Sequence, residues 1–132
     1  MKLAGVHHVA IQVTDFARAR TFWCQLLGCA VLQEWFDDAG ALRSIWVDVG
    51  GAFVALERVP ARGAVAPPFA HPAPGAHLVA LRIARAERAG WEARLTAAGV
   101  AIEKRSRYTL YVRDPDGTRV GLSHHPEPAE CE

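Results

Sequence analysis

Apolar and polar residues alternate through Val6-His7-His8-Val9-Ala10-Ile11-Gln12-Val13, which predicts a strand with His8, Ala10 and Gln12 on one face and His7, Val9, Ile11 and Val13 on the other. Thr14-Asp15 ends that run. From Asp15 to Leu27 the apolar positions Phe16, Ala19, Phe22, Trp23, Leu26 and Leu27 recur every three or four residues. An amphipathic helix is expected there, capped by Asp15 or Thr14 and stopped at Gly28. Three short strands should follow: Cys29 to Phe36, Leu42 to Val49 and Ala52 to Val59, with turns at Asp37-Asp38-Ala39-Gly40 and Gly50-Gly51.

Pro60 to Gly75 holds five prolines and two glycines, which suits an irregular connection. Beyond it the pattern restarts. Ala76 to Ile83 reads as a strand, Glu87 to Ala98 as a helix stopped by Gly99, and Val100 to Arg105, Tyr108 to Arg113 and Arg119 to Ser123 as strands. Set side by side, Val6-His7-His8-Val9-Ala10-Ile11-Gln12-Val13 matches Gly75-Ala76-His77-Leu78-Val79-Ala80-Leu81-Arg82, and the helices end alike in Leu27-Gly28 and Ala98-Gly99. A strand, a helix and three strands, twice over, predict an α+β fold. Two βαβββ modules would form a curved, partly open mixed sheet around a central cavity. The expected organisation is one domain over residues 1–132, with module one at about 4–60, the Pro-rich connection at about 60–75, module two at about 75–125 and a flexible tail at 126–132.

At 132 residues the chain can bury one core and hold one site. Fifteen Lys and Arg against fourteen Asp and Glu give a net charge of +1, so no global field favours nucleic acid or an anionic membrane. No stretch is long enough to cross a bilayer and no signal-peptide pattern opens the chain, which makes a cytoplasmic location the expectation. Cys24, Cys29 and Cys131 are odd in number and lack Cys-x-x-Cys spacing, so they predict neither a disulfide framework nor a thiolate zinc site.

A histidine falls near the start of the first strand in each half, His8 and His77. A pseudo-twofold relation would bring both to equivalent depths in one cavity. Two imidazoles and a carboxylate, with positions left open for substrate, make a common facial site for divalent Fe, Mn, Ni or Zn. The competing reading is a pair of hydrogen-bonded core or rim histidines. Trp46, Tyr108 and Tyr111 are cavity candidates that could stack on a flat ligand or donate a hydrogen bond, with core filling as the alternative for Trp46. Gln12 shares the His8 face, and Phe53 shares a face with Glu57 by alternation.

The runs Val6 to Val13, Ala76 to Leu81 and Tyr111-Val112-Arg113-Asp114-Pro115-Asp116-Gly117-Thr118 resemble the vicinal-oxygen-chelate superfamily, which includes glyoxalase I, bleomycin-resistance proteins, extradiol dioxygenases and fosfomycin-resistance thiol transferases. The resemblance covers nearly the whole chain, and the Asp-Pro-Asp-Gly turn is its most specific part. It implies metal ligation by His8 and His77, and a homodimer. The glutamate that the pattern carries four residues after the turn glycine is replaced by Gly121, and the other glutamate position of glyoxalase-I-like proteins is Ala55. Glu57 is the candidate replacement ligand, against a surface glutamate paired with Arg58. Asp48 is a weaker one, and Ser123 or His124 could approach the Gly121 vacancy.

Two functions follow. In the first, a divalent metal on His8, His77 and Glu57 chelates two oxygens of a small substrate, with Glu57 doubling as ligand or base and Tyr111 contacting substrate, within a pocket that includes Gln12, Trp46, Phe53, Tyr108 and Ser123. In the second, the chain sequesters a small molecule or drug without a metal, as bleomycin-resistance proteins do. The absent third ligand favours the second.

Overall fold

The structure is a computed structural model that describes residues 1–60 and 74–127. The chain divides into two compact units, Met1–Gly63 and Ala64–Glu132, each built on one four-stranded mixed sheet. Most of the Pro-rich connection and of the expected tail lies outside the described residues.

In the first unit β1 (His8–Val13) leads into α1 (Phe16–Arg20), and β2 (Val31–Phe36), β3 (Leu42–Asp48) and β4 (Phe53–Arg58) follow. Asp15 caps α1 through its side chain, which accepts a hydrogen bond from the Arg18 amide. The helix then widens into a π-helical turn, Thr21–Leu26, where the Leu27 amide donates to the Phe22 carbonyl at 2.9 Å. With that extra residue per turn, the adjacent pairs Phe22 with Trp23 and Leu26 with Leu27 are all buried. Gly28, at a φ of 77°, closes the helix in the left-handed region predicted for it.

The sheet order is β1-β4-β3-β2, with β1 and β4 parallel and the other pairs antiparallel. One side carries the core: Ile11, Val13, Ile45, Val47, Val54 and Leu56 are buried, each such side chain contributing about 1.5–3 kcal/mol when fully removed from water. Arg20 of α1 pairs with Glu34 of β2, which shares that side with Ile45, so the helix lies over it. The opposite side carries His8, Ala10 and Gln12, as the alternation predicts.

The second unit repeats the plan. β5 (Val79–Arg82) is followed by a 3-10 turn (Arg85–Glu87), α2 (Arg88–Ala97), β6 (Lys104–Arg105), β7 (Thr109–Arg113) and β8 (Arg119–Ser123), in sheet order β5-β8-β7-β6. The Asp-Pro-Asp-Gly segment forms the β7–β8 turn. Asp114 accepts hydrogen bonds from the amides of Asp116 and Thr118 at 3.0 and 2.9 Å, and Gly117 adopts a φ of 92°. Two of its strands are about half as long as the sequence predicts, or less. The first begins at Val79, not Ala76, so His77 lies ahead of it, and only Lys104 and Arg105 of the 100–105 stretch pair with β7.

No helix among the described residues is long and apolar enough to cross a membrane.

Candidate functional site

The helix-free side of the first sheet is an array of cross-strand rows. Strand pairing aligns His8, Phe53 and Asp48 in one row, Ala10, Ala55, Trp46 and Gln33 in the next, and Gln12, Glu57, Ser44 and Trp35 in the third. Directly paired residues project to the same face, so four of the expected site residues, Gln12, Trp46, Phe53 and Glu57, stand with His8 on one surface. The strand residues of this face include Asp48 and Glu57 but neither Lys nor Arg.

An aromatic ladder crosses all four strands. The His8 ring stacks on Phe53 at 4.9 Å and 7° between planes, Phe53 stacks on Trp46 at 4.3 Å and 23°, and Trp46 meets Trp35 at 5.3 Å. Phe53 and Trp46 are half-buried, while His8 and Trp35 are exposed. A cavity of about 510 Å³ opens beside the His8 end, between Val6 and His7 of the entering chain, Leu32 of β2, and Asp48 and Phe53 on either side of the β3–β4 turn.

The third row is polar. Ser44 is 1% exposed and its hydroxyl has no hydrogen-bond partner. A buried hydroxyl left in that state is destabilising by roughly 1–3 kcal/mol, so its retention needs a reason. Glu57, its direct neighbour on β4, is half-buried and makes no side-chain hydrogen bond or ion pair to any described residue. The expected alternative of a Glu57–Arg58 pair is not what forms, because Arg58 bonds Asp37 at 2.8 Å and the Leu42 carbonyl at 2.7 Å. Two contributors were not singled out from sequence. Ser44 and Trp35 are local features of their own strands, and only the long-range register places them beside Glu57.

The other candidates lie in the second unit. Tyr111 pairs with Gly121, as Trp46 pairs with Ala55, so Ala55 and Gly121 mark corresponding faces of the two sheets. Ala10 pairs with Ala55 and Ala80 with Gly121. Two residues before Ala10 stands His8, and two residues before Ala80 stands Leu78. The Leu78 side chain confirms the phase, since its Cδ1 would lie 3.5 Å from a Cβ built on Gly121. His77 precedes the paired part of β5, so strand alternation does not fix its side. Strand pairing sets Ala80 opposite Gly121 as Ala10 is set opposite Ala55, one position from the match of His77 with His8. The His77 ring and carbonyl meet the buried Arg119 guanidinium at 3.1 and 3.3 Å.

Ser123 accepts a hydrogen bond from the Thr109 hydroxyl at 2.9 Å. Tyr108 sits just before β7, edge-on to His125 at 4.9 Å, with the Arg107 guanidinium 5.6 Å from its ring. The Lys104 ammonium lies 5.9 Å from the Tyr111 ring. His124 is buried, receives the Arg88 guanidinium at 2.9 Å and contacts the Glu127 carbonyl, which ties the end of β8 to the start of α2. Its contacts do not turn it toward Gly121. The charged strand residues on the Gly121 face are Arg82, Lys104, Arg113 and Arg119, all basic.

Within the first unit, Glu57 and Asp48 do not complete a divalent-ion site with His8. Within either unit no three His, Cys, Asp or Glu side chains among the described residues are grouped to hold a metal. Glu57 is four residues along β4 from the partner of His8, a separation of roughly 13 Å. Asp48 is two strands from His8, roughly 10 Å, with Phe53 between. The His8 Nδ1 is 2.8 Å from that of His7, so one of its two ring nitrogens is engaged. At Gly121 even a methyl group would meet Thr109 Cγ2 at 3.1 Å, leaving no room for a glutamate without repacking.

The family model for the Glyoxalase/Bleomycin resistance protein/Dioxygenase superfamily matches residues 5–122. The chain belongs to that superfamily. Solved structures agree with the fold over nearly the whole chain. The fosfomycin resistance protein FosX from Listeria monocytogenes is 16% identical with a TM-score of 0.71, covering 93% of each chain. A glyoxalase/dioxygenase from Nostoc punctiforme is 21% identical with a TM-score of 0.73, covering 94% of this chain and 92% of the other. A variant of that FosX, solved with Mn(II) and a dihydroxypropylphosphonic acid, is 16% identical with a TM-score of 0.74, covering 92% and 93%. No curated protein matches the sequence. A solved structure of this fold thus carries Mn(II), while in this chain both glutamate positions of the pattern are side-chain-poor, at Ala55 and Gly121.

Proposed function

We propose that this superfamily member is a small-molecule binding protein that holds a flat ligand by stacking on the helix-free sheet face of its first unit. The observation that carries this reading is the His8–Phe53–Trp46–Trp35 ladder, a run of rings left partly open to solvent on a surface that also adjoins a cavity. Aromatic side chains offer apolar area at low conformational cost, and ring stacking adds about 0.5–1.5 kcal/mol per pair beyond area burial. Sequestration needs no third metal ligand. The homodimer implied by the resemblance belongs to the same proposal, supported by exposed Val31, Leu32 and Phe36 on the edge strand β2, and sedimentation tests it.

The test is calorimetric titration with 2-naphthol as a neutral flat probe. Wild-type protein is expected to bind it, with affinity falling about tenfold in Trp46→Ala, equivalent to about 1.4 kcal/mol. Equal affinity in Trp46→Ala and Phe53→Ala would remove the ladder from the site. Mn(II) is titrated in parallel, and stoichiometric binding abolished by His8→Ala would instead favour the metal-dependent enzyme reading, in which His8, His77 and Glu57 ligate and Tyr111 contacts substrate.

A further inference from the structure

Resting on the stacking site just described, we infer that its ligand carries a cationic N–H edge of the amidine or guanidine type, read by Glu57, Ser44 and Gln12. The three side chains are direct neighbours across β1, β4 and β3, in the row next to Ala55 and Trp46. All three lack side-chain partners among the described residues, and one of them, the Ser44 hydroxyl, is fully buried. A polar row of this kind, bordering a stacking surface, is incomplete without a group that supplies donors.

Chemistry narrows that group. Glu57 offers only acceptor oxygens, the Ser44 hydroxyl can accept or donate, and the Gln12 amide can do both. A planar amidinium presents two parallel N–H bonds to a carboxylate and is itself flat, so it can lie in the plane of a ring stacked on Trp46. Charge points the same way. The chain as a whole is close to neutral, but its charges are sorted by surface, and this face has Asp48 and Glu57 with no basic strand residue. An anionic ligand would meet two carboxylates and no basic strand residue of this face. Aromatic rings add to the preference, since their faces attract cations.

Benzamidine, benzamide and benzoate share one ring and differ in the charge and donors of the attached group, so they separate stacking from edge recognition. Calorimetry or ligand-observed NMR on wild type should rank benzamidine about tenfold or more above benzamide, with benzoate weakest. Glu57→Gln, which keeps shape, should erase the benzamidine advantage while leaving benzamide binding within about twofold. Ser44→Ala should weaken benzamidine severalfold, and circular dichroism establishes that both variants fold. Benzoate binding as well as benzamidine, or an unchanged ranking in Glu57→Gln, would overturn the inference while leaving the stacking site intact. Failure of all three probes, together with failure of 2-naphthol, would overturn both.

Discussion

The two sheets have the same strand order, the same parallel closing pair and the same turn logic, yet their helix-free faces have diverged in opposite directions. In the first unit the centre of that face is an aromatic ladder bordered by Asp48, Glu57 and an unsatisfied Ser44. In the second, the corresponding centre is Gly121, covered by Thr109 and Leu78, with Arg82, Lys104, Arg113 and Arg119 on the strands around it. Thr109 bonds Ser123, whereas the register partner of Glu57 in the first unit, Ser44, bonds nothing. A duplicated scaffold conserves what folding requires on the helix side, and the other face is where the copies become chemically distinct.

The largest effects test what the units share. Leu56→Ala and Leu122→Ala remove fully buried side chains from corresponding core positions, and each should cost about 2–5 kcal/mol in urea unfolding. A loss below about 1 kcal/mol in one of them would mean that the two cores are not equivalent. Next in size is the packing over Gly121. Gly121→Ala should destabilise by about 1–3 kcal/mol because its methyl group meets Thr109 Cγ2, and adding Thr109→Ser should recover most of that loss. Absence of recovery would show that the closure depends on other neighbours.

Function should separate the units more sharply than stability does. Trp46→Ala and Tyr111→Ala alter corresponding rings, but only the first should weaken 2-naphthol, by about tenfold, with Tyr111→Ala within twofold of wild type. Equal losses in calorimetry would place ligand contacts on both sheets.

Smaller effects come from titration within the first unit. Burial, reinforced by the charges of Cys24 and Asp48, pushes the Cys29 thiol up to about 11. Iodoacetamide labelling at Cys29 should therefore be slow at pH 8 and accelerate toward pH 11, as peptide mapping would report. Asp37 is held below the ordinary carboxylate range by hydrogen bonds from Arg58 and from the Ala41 and Ala39 amides. Its depressed folded value contributes stability above the unfolded carboxylate pKa, and this is lost as pH falls through the folded one. Asp37→Asn should flatten the acid limb of the unfolding curve slightly, and an unchanged limb would argue against that contribution.

Periodicity made the repeat, both helices, the order of the strands and the faces of β1 and β4 legible, because a half-buried strand writes its alternation directly into the chain. The π-helical turn was not legible, since Phe22-Trp23 and Leu26-Leu27 fit an ordinary apolar stripe until the Phe22–Leu27 hydrogen bond is known. The side of the sheet that His77 takes is not legible for a related reason. His7-His8 offers two histidines for alignment against one, and nothing local distinguishes the two registers until Ala80 is seen paired with Gly121. Glu57, Trp46, Phe53 and Gln12 were found as separate candidates, but their assembly with Ser44 and Trp35 depends on pairings between residues far apart in sequence.

The parallel β1–β4 pair also dictates when the stacking surface can exist. Among the described residues β1 has no other strand neighbour, so it waits, unpaired, until the 53–58 stretch has been synthesised and has joined β3. That contact closes the longest loop in the unit, which makes it slow relative to the hairpins. His8 meets Phe53 and Gln12 meets Glu57 only at that moment, so a nascent or partly melted unit has no competent surface, and ligand capture would act as a readout of completed assembly.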